Sequence, residues 1–426
     1  MELGILFGVF AFLLLIGTPV AAALAVSTLV AALALGLPEI ALVQQMTANL
    51  SSVSLLAIPL FIFAGELMLR GGISERIIAL AAALVGRLRG GLGQVSVVAS
   101  TLFGGVSGSA IADVSAVGGA IIPQMIERGY QRDYAVNVTI SAALVALLVP
   151  PSHNMILYSA AAGGGISITD LFLAGIFPAL MLAVAIMVTA YIVARQRGYA
   201  AEPFPGFGAI LRRLVAAIPG LLLVGIIFFG IKSGIFTAIE SATVAVIYAV
   251  LITVLVYRKL KWPDFLHAIS GAVQSTGRIL FVIGAAGAFG WLMAYLQAPA
   301  QAVDLMQSIA HDRTTVLILM VLALLVLGTF MDMAPLVIIA TPIFLPVARA
   351  YEVSPVHFGV IMILSCGIGL LTPPVGSVLF IGAAIGKIDV AKTVKGLWPF
   401  YIAMLAVLMT VVLWPPLSLS LPQWAK

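Results

Sequence analysis

The chain has 426 residues, of which 62% are hydrophobic and 9% charged, with a formal net charge of +5. Soluble domains carry about 25% charged residues, and a chain this size needs polar cover over a large surface. A soluble enzyme, a disordered protein and a coiled coil are therefore excluded, leaving a polytopic membrane protein. The lone Cys366 rules out an intrachain disulfide and says nothing of redox compartment.

The first apolar run lacks a basic start and carries Glu2. It reads as a retained helix rather than a cleaved leader, joined to a second span near Gly17-Thr18-Pro19. A short amphipathic stretch, Glu39–Asn49, follows, and then a third span over Ser54–Leu69. Next come two segments meeting at the glycine-rich FGGVSGSAIADVSAVGG, Phe103–Gly119. A span interrupted at LLVPPSHNMILYS, Leu147–Ser159, precedes one long helix. A hydrophilic link over residues 199–212 separates this half from the next.

The same succession recurs. Pro123 lies 223 residues before Pro346, Pro150-Pro151 the same distance before Pro373-Pro374, and Gly105 before Gly328. The second half spans Ile226–Arg258 as a helix pair, Pro263–Thr276 as the amphipathic stretch and Gly277–Leu292 as the third span. The fold class expected is all-α and polytopic: two inverted repeats, each with five spanning helices and one re-entrant hairpin. The first repeat is residues 1–198 (scaffold 1–52, transport part 53–167, long helix 168–198). The second is 213–426 (scaffold 213–276, transport part 277–389, long helix 390–426). The segments flanking Gly104–Gly108 and Gly328–Asp332 read as too short or too interrupted to span, and an odd number of crossings inverts the second half. With the N-terminus outside, only Lys232, Arg313, Arg349 and Lys426 fall outside, leaving 17 of the 21 basic residues inside.

Four motifs carry chemistry. At the first tip, glycines permit positive φ and close backbone approach, while Ser107 and Ser109 add hydroxyls. Freed carbonyls there suit a hard cation and helix amides suit an anion; tight packing of small residues is the competing reading. At the second tip, VLGTFMDMAPLVIIATPIFLP (Val326–Pro346) holds Gly328, Thr329 and Asp332. Asp113 and Asp332 are ionisable groups at membrane depth, and each reads either as a site residue or as a helix cap. The double prolines in LLVPPSHNMILYS and GLLTPPVGSVLF force unwound stretches whose carbonyls suit Na⁺. The restarting half-helices present amides near Ser152, Asn154, Gly376 and Ser377. A structural kink is the alternative. His153 reads as a proton relay or as a hydrogen-bonded structural group. His267, His311 and His357 lie near expected membrane edges and form no metal spacing. Glu66 and Glu240 interrupt apolar spans and would pair with an arginine or touch a partner helix. No GxxxxGK[ST] loop, HExxH, nucleophile–base set or TVGYG filter occurs. No catalytic residue is assigned, and uphill movement would draw on an ion gradient.

At GGVSGSAIAD, LVPPSHNMILYS and GTFMDMAPLVIIATPIFLP…GLLTPPVGS, the chain resembles the large membrane subunit of tripartite ATP-independent periplasmic (TRAP) transporters, DctM type. The resemblance covers essentially the whole chain. It implies an elevator-type fold of the ion-transporter superfamily in a bacterial inner membrane, with a periplasmic N-terminus. It implies Na⁺ as coupling ion at two or more sites. Its partners would be a periplasmic solute-binding protein delivering a carboxylate (an organic or sugar acid) and a small four-helix membrane subunit on a separate chain. No nucleic acid enters. Carried over, one Na⁺ site lies among Ser107, Gly108, Pro150, Ser152 and Asn154. Its mirror lies among Gly328, Met331, Asp332, Thr372, Pro374 and Gly376. The substrate would meet Ser107, Ser109, Asp113, His153, Asn154, Asp332, Gly376 and Ser377. No arginine is expected in the core to grip its carboxylate. The alternatives are a stand-alone ion-coupled carboxylate carrier and, more remotely, an intramembrane enzyme or channel subunit.

Overall fold

A computed structural model describes residues 2–51, 53–201 and 203–424, with side chains left undescribed at residues 53, 54, 106 and 107. Among these residues all extended secondary structure is helical. In the first half, α1 (Glu2–Leu15) and α2 (Val20–Ala34) form the opening pair. Pro19 and Pro38 stand immediately before α2 and α3 (Glu39–Leu50), where a missing amide costs nothing. Then come α4 (Ala57–Arg70), α5 (Ile73–Val85) and α6 (Gly91–Ser107). After the Gly108 corner, α7 (Ala110–Asp113), a π-turn and α8 (Gly119–Glu127) run as one 18-residue apolar helix. The helix α9 (Arg132–Ala143) continues through α10 (Val145–Leu148), breaks at the double proline and restarts as α11 (His153–Ala161). The long helix α12 (Ile168–Gln196) closes the half.

The second half comprises α13 (Phe207–Lys232), α14 (Ala238–Leu251), α15 (Trp262–Tyr295) and α16 (Ala298–Ile309). It continues with α17 (Arg313–Gly328), α18 (Met333–Ala350), α19 (Pro355–Gly369), α20 (Ser377–Gly386), α21 (Val390–Leu413) and α22 (Pro416–Trp424). The 223-residue shift seen in the sequence also relates helix starts: Ala110 to Met333, Arg132 to Pro355 and Glu39 to Trp262. Among the described residues, seven helices are long and apolar enough to cross a membrane, and nine if two bent pairs each count as one span. Those pairs are α4 with α5, bent by 68°, and the α9–α10 arm with α11, bent by 52°. The opening helices α1 and α2 are apolar but shorter.

Several expected boundaries move. The segments Ala110–Glu127 and Met333–Ala350, read as too short or too interrupted to span, reach 18 residues each. At 1.5 Å per residue that is about 27 Å, because the π-turn carries the helix past Val114–Gly118 without a stop. The expected scaffold–transport boundary at 276/277 falls inside α15, one continuous helix of 34 residues. The matching point of the first half is broken between Leu50 and Ala57, whereas Gln274–Ile279 contains a single glycine and no proline. The link expected to end at 212 ends at Gly206, and the last long helix divides at Trp414-Pro415. Glu240 does not interrupt a span: it completes a capping box with Thr237 at the start of α14. His357, in the first turn of α19, lies fully buried, with Nδ1 2.6 Å from Ser418 Oγ.

Two packing groups emerge. The pair α4 and α15 packs with α2, α3 and α14. The second group holds α6, α9 to α12 and α17 to α21, and here the halves interlock. Arg132 of α9 donates to the Gly386 carbonyl at 2.8 Å, and Asn137 to the Thr393 carbonyl at 2.9 Å. At one end, Arg197 grips Asp133 through two hydrogen bonds of 2.8 and 2.7 Å beside Tyr130, Tyr134 and Tyr199. Arg197→Ala is expected to cost about 1 kcal/mol, since the pair is only partly shielded from solvent. Thermal denaturation in detergent, compared with Asp133→Ala and the double variant, checks this. On a separate edge, Thr315 donates to Asp312, holding that carboxyl below its usual range.

Candidate functional site

Each hairpin corner sits on the double-proline break of its own half. In the first half α6 ends at Gly108, whose φ of +57° is the left-handed conformation that closes a helix. A Cβ there would lie 3.0 Å from the Pro151 carbonyl and 3.2 Å from the His153 amide nitrogen. Gly105 comes equally close to the Pro150 carbonyl, at 2.9 Å. Pro151 has no amide to give to Leu147, and the Ser152 hydroxyl donates to that carbonyl instead, at 2.6 Å. Asn154, at the start of α11, donates from Nδ2 to the Gly108 carbonyl at 3.0 Å. Its Oδ1 is buried and accepts no hydrogen bond. Such an atom can accept a hydrogen bond or coordinate a cation.

The second corner is built by backbone. The amides of Val375 and Gly376 both donate to the Thr329 carbonyl, at 3.1 and 3.2 Å. Gly328 and Gly369 bring α17 and α19 into backbone contact, a Cβ on Gly328 lying 3.0 Å from Gly369 Cα. The Leu371 carbonyl, left without its helical donor, receives the Tyr401 hydroxyl from α21. Both double prolines contain a cis peptide bond.

The two corners meet at one cavity of about 390 Å³. Ser109, His153 and Asn154 line it from the first half, and Asp332, Met333 and Ala334 from the second. The starts of the 18-residue helices at Ala110 and Met333 both border it, so both offer their first-turn amides. The remaining wall comes from Glu66 on α4 and Ser275 and Arg278 on α15. A larger cleft of about 620 Å³ opens elsewhere between α3, α15, α11 and α18, lined by Gln45, Asn49 and Trp291, and by neither corner.

The expected site residues divide accordingly. Ser109 caps α7, accepting from the Ala112 amide at 3.4 Å while facing the cavity. Asp332 holds the N-cap position of α18 and accepts from Ser377 Oγ at 3.3 Å. Asp113 does not line the cavity: fully buried, it accepts from Ser100 Oγ of α6 at 2.6 Å and leaves Oδ1 without a donor. It neither caps a helix nor bonds its chain neighbours, but ties the two arms of the hairpin together. Gly376 and Ser377 stand behind Asp332, off the cavity wall. The Ser107 side chain lies outside the described residues. Met331 is buried, and Thr372 Oγ1 donates back to the Ile368 carbonyl at 3.0 Å. Glu66 both pairs with Arg70, at 3.3 Å, and touches a neighbouring helix at Gly271.

Arg278 is a correction. No arginine is expected near the site. Arg278 sits instead 16 residues into α15 and on the cavity wall. The signal was present: Trp262 to Asp312 contains no other arginine or lysine. An isolated cation in the middle of a long apolar helix marks a polar pathway.

Described residues that are helical throughout, several membrane-length helices, and two interrupted segments converging on one cavity with polar groups in its wall define a multi-span membrane permease. The family model described as "Tripartite ATP-independent periplasmic transporter, DctM component" matches residues 7–417. The chain belongs to this family, whose members are permeases and not enzymes. It is similar to the 2,3-diketo-L-gulonate TRAP transporter large permease protein YiaN of Escherichia coli, 33% identical over 410 residues and covering 96% of each chain. It is likewise similar to the sialic acid TRAP transporter large permease protein SiaM of Vibrio cholerae, 36% identical over 380 residues, covering 89% of this chain and 88% of that one. Among solved structures, the Alcanivorax borkumensis YdaH transporter matches with a TM-score of 0.60 and 13% identity, over 88% of this chain and 87% of that chain. That likeness shows the fold alone.

Proposed function

We propose that this chain is the large permease of a Na⁺-coupled importer of a carboxylate, working by elevator-type alternating access in a bacterial inner membrane. A periplasmic binding protein delivers the acid, and a small four-helix subunit accompanies the permease. The two halves act as inverted repeats, five crossings and one hairpin each, with the N-terminus periplasmic. The shared 223-residue shift of helix starts supports the repeat. The carrying observation is the single cavity bordered by both corners. Relatives named for a sugar acid and for sialic acid support a carboxylate cargo.

The residues around the first break fit a hard cation. Asn154 offers a buried oxygen without a donor, and the Pro150 and Pro151 carbonyls lie against the corner. The second break fits less openly, because the Thr329 and Leu371 carbonyls already accept hydrogen bonds. There Asp332 and the Thr372 carbonyl, close to Gly376, are the oxygens to hand. Bound Na⁺ would supply positive charge beside an incoming anion and the free energy of its own gradient. The chain's part is to present oxygens at the breaks and helix amides at the cavity, in a setting from which lipid is excluded.

Proteoliposomes holding the permease, its small subunit and its binding protein test this with radiolabelled sialic acid, 2,3-diketo-L-gulonate and succinate. Uptake is expected only with Na⁺ outside and to fall at least about tenfold when K⁺ replaces it. Equal uptake in K⁺ would overturn Na⁺ coupling. Uptake by the permease alone would favour the stand-alone carrier.

A further inference from the structure

We propose that Arg278 is the residue that selects a carboxylate, by pairing with the anion in the cavity between the two corners. The inference deepens the reading just given and rests on that cavity being the substrate site.

Arg278 is exposed, yet its exposure is to a cavity wall midway along a 34-residue helix. At 1.5 Å per residue it lies about 24 Å from Trp262 and about 26 Å from Tyr295. A charge within so long an otherwise apolar stretch normally has a partner. The carboxylates that share the wall are already engaged. Glu66 pairs with Arg70 at 3.3 Å, and Asp332 accepts from Ser377 at 3.3 Å. Arg278 itself makes no ion pair or hydrogen bond with any described residue. What faces it is the pair of helix starts at Ala110 and Met333, both of which favour negative charge. A cation without a partner on one wall and two amide-bearing helix ends on the others make a setting for an anion. The planar guanidinium fork matches the two oxygens of a carboxylate, which a neutral polyol does not offer.

The arrangement also assigns the contact to a particular part of the molecule. Arg278 lies on α15, which packs most against α4, α3 and α2 and also against α18, whereas both corners belong to the interlocked group. If the groups slide past one another, the guanidinium touches the acid in one position only. It then serves capture or release on one side of the membrane.

Equilibrium binding of radiolabelled sialic acid, 2,3-diketo-L-gulonate and succinate to the full chain in nanodiscs, in saturating Na⁺, tests the assignment. Wild type is expected to bind at least one of these acids, and Arg278→Gln to weaken that binding at least about tenfold. Arg278→Lys should fall between them, since charge is kept and the fork lost. The uncharged methyl ester or amide of the same acid should bind wild type and Arg278→Gln alike. The Na⁺ concentration that half-saturates thermal stabilisation should stay within about twofold, which separates recognition from damage to the fold. If wild type binds none of the acids, the proposed function itself fails. If wild type binds but Arg278→Gln binds equally well, or loses acid and ester together, only the role of Arg278 is overturned.

Discussion

Gly108→Val is expected to abolish uptake and to lower the thermal midpoint. The residue closes α6 with φ of +57°, a conformation that costs an L-residue about 1–2 kcal/mol and a β-branched one more. The added Cβ would also press on the Pro151 carbonyl at 3.0 Å and the His153 amide at 3.2 Å. Neither is the free end of a flexible side chain, so the corner and the double-proline break must part. Overpacking of this kind costs about 1–3 kcal/mol more. Gly129→Val is the control: it too has positive φ, +84°, but nothing lies within 4 Å of its Cβ. It shares the backbone penalty without the clash. Uptake retained by Gly129→Val and lost by Gly108→Val is the expected pair of results, read by Na⁺-driven uptake and by melting in detergent.

Asn154→Leu is expected to raise the Na⁺ requirement at least about tenfold and to lower stability as well. The substitution deletes the buried Oδ1 and the hydrogen bond to the Gly108 carbonyl, while keeping the branched shape of the side chain. Losing that hydrogen bond leaves the Gly108 carbonyl unpaired, a cost of about 1–3 kcal/mol. If Oδ1 is a ligand, a second and separate loss appears in the concentration of Na⁺ that half-saturates uptake. Asn154→Asp separates the two effects, since it keeps an oxygen at that position and loses the donor. Its Na⁺ requirement should remain near that of wild type. A Na⁺ requirement unchanged in Asn154→Leu would remove this residue from the ion site.

The interruptions were legible in the sequence and the continuities were not. Pro150-Pro151, Pro373-Pro374, Gly108 and Gly328 act through local covalent geometry, so each marks its own position. The repeated spacing pairs the two corners, and Ser109, His153, Asn154 and Asp332 share the wall of one cavity. Asp113 misled because a carboxylate beside a glycine-rich corner reads the same whether it faces a cavity or a neighbouring serine. Only packing against Ser100 decides between them. The unbroken α15 was hidden because helix continuation through Gln274–Ile279 is set by what α3 and α4 pack against it, not by a local stop. Arg278 was not expected beside the corners for the same reason: a boundary set at 276/277 gives no cause to bring it to the cavity. Glu240, by contrast, was readable, since Thr237-Ala-Ile-Glu240 is a capping-box pattern.

A cryo-electron microscopy structure of the complex in Na⁺ with a transported acid bears most directly on where cargo and ion meet. The expected result is acid density in the cavity bounded by Ser109, Asp332 and Arg278, with ion density against Asn154 Oδ1. Acid held instead in the cleft lined by Gln45, Asn49 and Trp291, with neither corner touching it, would contradict the assignment.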